Sequence, residues 1–183
     1  MNTIFFDVEV YMNEIIKAIL ERRTCRSFTQ EAVTLDQVKT ILDCALAAPS
    51  GMCKQTWKFT AVVNPEKIQR LAAAVGSALN RGPEYTMYSP QVLVITSNLK
   101  ESKYREVDNA CAMENIYLAC QGLGLGCVWI NQVQDCQDAP EVRAILSEFG
   151  IPAEHGVYGC AAIGYRASPP VAKEVKGQWA IVE

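Results

Sequence analysis

The sequence predicts one layered domain of the α+β or α/β class. Segments with helical spacing of apolar residues alternate with about four short apolar, β-branched segments. The chain has 183 residues, of which 50% are hydrophobic and 20% charged, as expected for a single globular domain. No repeat or low-complexity linker divides it, so the layers should share one core.

The first part of the chain begins with an expected arm, residues 1–12, which lacks turn chemistry. A helix is expected over 13–22 with Asn13 as its N-cap, and a second over 35–48. Thr34 begins a capping box for the second helix. The further expected elements are strand 57–63, helix 64–79, strand 91–96, helix 109–121, strand 127–130, helix 138–149, strand 157–163 and a short strand-like segment 179–182.

Composition excludes several classes of protein. Seventeen basic and twenty acidic residues give a net charge of −3, which disfavours a nucleic-acid binder. No apolar run approaches the ~20 residues of a membrane helix, and residues 1–12 do not resemble a signal peptide. We therefore expect a cytoplasmic protein that binds neither nucleic acid nor membrane.

The eight cysteines do not indicate a metal site or a disulfide framework. None are spaced C-x-x-C, and His155, expected at a surface turn or as a cap, is the only histidine. Most of the cysteines lie in apolar runs and should act as small core residues in a reducing compartment. We expect no bound metal.

Three segments have the composition of ligand-binding loops. Residues 22–27 hold three arginines and two hydroxyls, which can bind phosphate or simply complement the end of a helix dipole. Residues 49–57 join a helix to a strand, either as a ligand loop or as a polar connector. Residues 122–132 hold three glycines, which also suit a plain helix stop. Since no catalytic pair is evident, an enzyme of this sequence would need a cofactor.

Together these segments resemble the FMN-dependent nitroreductase family over about residues 13–183. Residues 22–28, RRTCRSF, are similar to its R-R-S-x-R-x-F pattern. Residues 48–57, APSGMCKQTW, are similar to A-P-S-x-x-N-x-Q-P-W, and residues 124–130, GLGCVWI, to G-L-G-x-C-W-I. The resemblance implies an α+β fold, a small central mixed or antiparallel sheet wrapped by helices, and an interlocked homodimer. It also implies that the tail, about 168–183, crosses to the partner subunit.

The resemblance further implies an FMN site shared by two subunits. Its implied residues are Arg22, Arg23, Thr24, Arg26, Pro49, Ser50, Gly51, Cys53, Gln55, Asn80, Trp129, Ile130, Asn131, Lys173 and Lys176. The first group, 22–26, would hold the phosphate and ribityl chain, helped by the two lysines. The loop 49–55 would approach the ring from the other subunit, and 129–131 would form a wall near it. Asn80 comes from a region that often supplies an asparagine.

Three positions depart from the family pattern. Cys53 stands in place of asparagine, Thr56 in place of proline and Asn131 in place of glycine. A thiol is a poor hydrogen-bonding group, so Cys53 could change flavin affinity or be a reactive thiol.

The activity implied by the resemblance is oxidoreduction. NADH or NADPH would reduce FMN, which would then reduce a nitroaromatic, quinone or enone by a ping-pong mechanism, with flavin N5 as the reacting atom. The alternatives are reductive dehalogenation or flavin fragmentation on the same fold, a flavin-binding or redox-sensing module without turnover, and a dimerising scaffold without flavin.

Overall fold

The structure is a computed structural model and describes residues 13–183. The expected arm at 1–12 lies outside the described residues. The helices are α1 Glu14–Glu21, α2 Leu35–Leu46, α3 Pro65–Ala78, α4 Arg105–Gly122, α5 Gln132–Cys136 and α6 Pro140–Glu148, with a 3-10 turn at Gly51–Cys53. The strands are β1 Trp57–Val62, β2 Val92–Leu99, β3 Gly126–Ile130 and β4 His155–Gly164.

The four strands form one sheet in the order β1-β2-β4-β3. Every neighbouring pair is antiparallel. The central strands β2 and β4 are buried almost throughout, and β3 lies at an edge. The expectation of a small central sheet in an α+β fold is therefore confirmed, in its antiparallel form.

Helices cover both faces of this sheet. Helices α3, α5 and α6 pack on one face, where the side chains of Leu93 and Ile95 are fully buried. Helices α2 and α4 pack on the other face against Val92 and Val94. Because successive side chains of a strand point to opposite faces, β2 must be apolar on both of them.

The predicted helix starts are confirmed by their capping hydrogen bonds. The side chain of Asn13 accepts from the backbone N–H of Ile16 at 2.9 Å. Thr34 and Gln37 form the complete reciprocal capping box. These short-range patterns were readable because each cap depends on residues only three positions apart.

Buried polar residues account for two misplaced boundaries. Strand β2 continues to Leu99, past the predicted end, because Ser97 and Asn98 are fully buried and hydrogen-bonded. Helix α4 begins at Arg105 instead of 109, and Asp108 in its first turn is only 3% exposed. Polarity alone suggested a loop or a lead-in to a helix over residues 98–106.

Helix α5 was not predicted, because only Val133 and Cys136 in its single turn are buried. Residues 179–182 pair with no strand of the same described chain, so a strand there stays a prediction for the dimer. The expectation of a surface turn or cap at His155 was wrong. His155 is 8% exposed at the start of β4, and its Nδ1 lies 3.2 Å from the hydroxyl oxygen of Ser97. Burial also lowers the pKa of His155.

Within residues 13–183, no helix is both long and apolar enough to cross a membrane. The same part of the chain contains no group of His, Cys, Asp or Glu residues arranged to hold a metal ion.

Candidate functional site

The arginine segment, residues 22–28, is attached to the edge strand β3. The backbone N–H of Cys25 donates to the carbonyl oxygen of Cys127 at 2.9 Å, and Thr24 pairs with the same residue. Gly126 permits this approach, since a Cβ there would lie 2.6 Å from both Cβ and Sγ of Cys25. The first and third sequence motifs therefore meet at one edge of the sheet.

The tail leaves β4 beside the same segment. The backbone N–H of Ala167 donates to the carbonyl oxygen of Ser27 at 3.0 Å. Nη2 of Arg166 donates to the carbonyl oxygen of Arg23 at 2.7 Å. These contacts fix the start of the tail, so residues 168–173 follow the arginine segment.

Between the arginine segment and residues 168–173 lies a pocket of about 550 Å³, which we call the basic pocket. Among the described residues that line it, none is acidic. Its polar side chains are Arg22, Arg23, Arg26, Arg166, Lys173, Thr24, Ser27 and Ser168. Guanidinium groups match phosphate oxygens in a bidentate manner, and hydroxyls add further donors. The volume and the charge suit a small ligand that carries a phosphate.

Two of the arginines are anchored by other parts of the protein. The guanidinium of Arg22 lies 4.7 Å from the ring centroid of Tyr117, and its Nε lies 3.7 Å from Oε1 of Glu114. Nη1 of Arg23 donates to the carbonyl oxygen of Leu20 at 2.7 Å. Arg23 thus complements the C-terminal end of α1, which is the helix-dipole interpretation considered from the sequence.

Arg26 and Lys173 have exposed side chains. Within residues 13–183, neither side chain forms a hydrogen bond or an ion pair. Since they face the same pocket from its two walls, they are the cations best able to bind an incoming anion.

Tyr117 of α4 supports the outer edge of β3. Its hydroxyl oxygen accepts a hydrogen bond from the backbone N–H of Trp129 at 2.7 Å. Burial raises the pKa of Tyr117, so the hydroxyl keeps its proton at neutral pH. The edge of β3 at this point is therefore held by a side chain instead of a further strand.

The wall residues 129–131 differ in what they expose. The partly buried indole of Trp129 packs toward α2 and α4, where Gly159 leaves room for Nε1. The side chain of Ile130 is 1% exposed and packs in the core on the other face of the sheet, so only its backbone can face a ligand. Asn131 is exposed after the strand ends.

The loop 49–55 is held in an unusual backbone conformation. Met52, Cys53 and Gln55 have φ values of 57°, 53° and 47°, in the left-handed region that non-glycine residues seldom adopt. The backbone N–H of Gly51 donates to Oδ1 of the buried Asp108 at 2.7 Å. Strain of this kind persists only where the surroundings hold it, and it is concentrated at functional sites.

This loop lies away from the basic pocket of the same chain. It contacts Asp108 near the start of α4, whereas the arginine segment contacts Tyr117 near the end. Nine residues separate the two, about 14 Å along a helix. The structure therefore brings the first and third motifs together but not the second.

Comparison with known proteins decides the family. The nitroreductase family model matches residues 19–165. A nitroreductase from Bacteroides fragilis with bound FMN is 36% identical and superimposes with a TM-score of 0.86, covering 94% of this chain and 100% of that one. The chain belongs to the nitroreductase family.

Two further relatives agree with that assignment. An FMN-dependent nitroreductase from Clostridium difficile is 26% identical, with a TM-score of 0.78 over 93% of this chain and 99% of that one. The NADPH-flavin oxidoreductase of Vibrio harveyi is 29% identical over 79% of this chain and 66% of its own.

Besides the loop 49–55 and the wall residues 129–131, two further implied site residues do not line the basic pocket. Asn80 follows α3 with φ of 52° and is exposed. Nζ of Lys176 lies 3.2 Å from Oε2 of Glu174. Of the two tail lysines, only Lys173 lines the pocket.

Several supporting residues of the candidate site were not predicted from the sequence. Arg166 lines the basic pocket, yet its only signal is a basic residue just after the last strand. Tyr117 and Asp108 of α4 hydrogen-bond to the third and second sequence motifs, respectively. In the sequence they look like an ordinary core residue and an ordinary surface residue of a helix. An alignment of basic and polar positions would be needed to find them.

Proposed function

We propose that this chain is an FMN-dependent NAD(P)H oxidoreductase that reduces a nitroaromatic, quinone or enone by a ping-pong mechanism. The observation that carries the proposal is the basic pocket, where the arginine segment and the tail converge on β3. Family membership supports the same enzyme class and cofactor.

The residues of the basic pocket fit the phosphate end of FMN. Arg26 and Lys173 would bind the phosphate oxygens from opposite walls, because both reach the pocket without another partner in residues 13–183. Thr24 would donate its hydroxyl to the phosphate or the ribityl chain. Because the side chain of Arg22 already packs on Tyr117, it would offer its positive charge to the phosphate without the entropic cost of becoming ordered.

The edge of β3 fits the ring end. Trp129 and the backbone of Ile130 would flank the ring, with Asn131 beyond them. Bound FMN would supply the hydride-accepting ring, so the protein need not provide an acid–base pair. The role of these residues is to orient the ring and exclude water from one side of it.

A second copy of the chain would complete the site. No residue of α1 is buried, and Ile15 and Ile19 on this amphipathic helix are 68% and 51% exposed. In the tail, Trp179 and Ile181 are 78% and 74% exposed. Exposed apolar surface of this kind marks an interface. We infer an interlocked homodimer of one domain, 13–183, in which the tail crosses to the partner and the loop 49–55 borders the partner's FMN.

The state of the cysteines agrees with a small, cytoplasmic electron-transfer enzyme. All eight are free thiols, and five of them are buried. Burial raises the pKa of the Cys127 and Cys160 thiols, as expected for inert core residues.

The phosphate assignment is tested by the double variant Arg26→Gln with Lys173→Gln. We expect at least a tenfold loss of FMN affinity, measured by quenching of flavin fluorescence. Lys39→Gln on α2, an exposed lysine paired with Asp36, is the matched control. Unchanged FMN affinity in the double variant would overturn the assignment.

The dimer is tested by ending the chain after Ala167. Sedimentation should show a wild-type dimer and a truncated chain that dissociates more readily and binds FMN weakly. A truncated chain with wild-type dimerisation and FMN affinity would contradict the crossing tail.

A further inference from the structure

A second cavity, of about 490 Å³, adjoins the strained loop. It lies between residues 52–56 and the connection from β2 to α4, residues 99–104. It shares no lining residue with the basic pocket. Because it borders the loop that we assign to the partner's FMN, a ligand there would be close to the reacting face.

The walls of this cavity are held in place by the fold. The ring of Tyr104 packs directly on Gly51, where an added Cβ would lie 2.3 Å from Cδ2 of the ring. The hydroxyl of Thr56 donates to Oδ1 of the buried Asn98 at 2.6 Å. The N–H of Ser102 donates to the carbonyl oxygen of Leu99 at 3.0 Å, which closes the connection into a turn. The cavity is thus preformed, with a flat aromatic wall.

The charge of the cavity favours an anion. Lys54 and Lys103 line it from its two sides, and Glu101 is the one carboxylate among its described lining residues. Within residues 13–183, neither lysine forms an ion pair, and Nζ of Lys103 lies 5.5 Å from the ring centroid of Tyr104. By contrast, Lys100 of the same connection is paired with Asp138 at 2.9 Å.

We propose that this cavity binds the phosphorylated adenosine part of the electron donor, with Lys54 and Lys103 contacting its phosphates. A half-buried aromatic wall beside two ammonium groups without an ion pair in residues 13–183 suits the base and the phosphates of a nucleotide. This inference rests on the proposed function, since it takes NADH or NADPH as the donor.

Steady-state kinetics of the FMN-saturated protein test the inference. In Lys54→Gln with Lys103→Gln, the KM for NADPH should rise about three- to tenfold, the range for two exposed charge contacts. Glu101→Gln should lower the KM, because it removes the opposing charge. The matched control Lys100→Gln, which lies outside the lining, should leave the KM unchanged.

Two donor analogues show which part of the donor is bound. Reduced nicotinamide mononucleotide lacks the adenosine part but keeps one phosphate of the pyrophosphate, so the double variant should raise its KM less than that for NADPH. A larger effect on NADPH than on NADH would assign the lysines to the 2′-phosphate, and equal effects would assign them to the pyrophosphate. A rise in the KM for the mononucleotide as large as that for NADPH would overturn the inference, because the lysines would then act at the nicotinamide end.

Direct binding separates this inference from the proposed function. Titration calorimetry of 2′-phospho-ADP-ribose into the FMN-loaded protein needs no turnover. We expect weaker binding to the double variant than to Lys100→Gln. Equal affinity for the two variants would overturn the inference even if the enzyme is active, whereas failure of every donor to reduce the bound flavin would overturn the proposed function.

Discussion

Replacing Gly126 with alanine should separate the arginine segment from the sheet. The new Cβ would lie 2.6 Å from Cβ and Sγ of Cys25 and 3.0 Å from Cγ of Arg166. Since the first contact involves a Cβ, the Cys25 backbone must move, and its 2.9 Å hydrogen bond to Cys127 is weakened. Overpacking costs about 1–3 kcal/mol and a hydrogen bond about 1 kcal/mol. We therefore expect the free energy of unfolding to fall by about 2–4 kcal/mol.

The same movement displaces the cations of the basic pocket, so FMN affinity should fall about tenfold or more. Urea denaturation and a fluorescence titration measure the two effects. Gly122→Ala is the matched control, because nothing lies within 4 Å of its added Cβ at the end of α4. If Gly126→Ala behaves like Gly122→Ala in both assays, the close attachment of the segment to β3 is refuted.

A compensating change sharpens this test. Cys25→Gly removes both atoms nearest the new Cβ, so the double variant Cys25→Gly with Gly126→Ala should be more stable than the sum of the single effects. A coupling of about 1 kcal/mol or more is expected for such contacts. Strict additivity would show that the destabilisation arises elsewhere.

Three other predictions concern groups that support the site. Asp108→Ala removes the acceptor for the Gly51 N–H and should lower the free energy of unfolding, measured by urea denaturation, by about 1–3 kcal/mol. Asp43→Ala, at an exposed position, is the control. Because the pKa of His155 is lowered in the folded protein, the unfolded chain binds a proton at a higher pH than the folded protein does. The free energy of unfolding should therefore decrease as the pH falls through about 6.5, and this decrease should be smaller in His155→Gln. Parallel pH profiles of the two proteins would contradict this. Tyr117→Phe removes the acceptor for the Trp129 N–H and should cost about 1–3 kcal/mol in the same assay, and no loss would show that water replaces the hydroxyl.

Local signals made much of the fold predictable from the sequence. The capping residues Asn13 and Thr34 each accept the hydrogen bond that their spacing indicates. The apolar segments of β2 and β4 are buried strands as expected. These features depend on residues a few positions apart, so a single sequence contains the information.

Boundaries defined by buried polar residues were not predictable in the same way. Asn98 is fully buried because its side chain hydrogen-bonds to Thr56, just before β1, and to Asn109 of α4. His155 is buried beside Ser97 of the neighbouring strand. Nothing near these residues in the sequence indicates that such partners exist, so polarity suggested surface loops.

The candidate site shows the same division. The arginine segment was identifiable from its composition, but its attachment to β3 depends on Gly126, about a hundred residues further on. The second wall of the pocket comes from Arg166 and Lys173 beyond the last strand. The sequence indicated which residues are candidates for binding a phosphate, whereas their convergence required the topology of the sheet.

The visible absorption spectrum of the purified protein, recorded before and after NADH or NADPH is added without oxygen, tests the central claim most directly. We expect flavin absorption bands that bleach when the donor is added. A protein that is colourless, and stays so after FMN is supplied, would contradict the assignment of the basic pocket. Bands that persist with both donors would contradict the proposed NAD(P)H oxidoreductase.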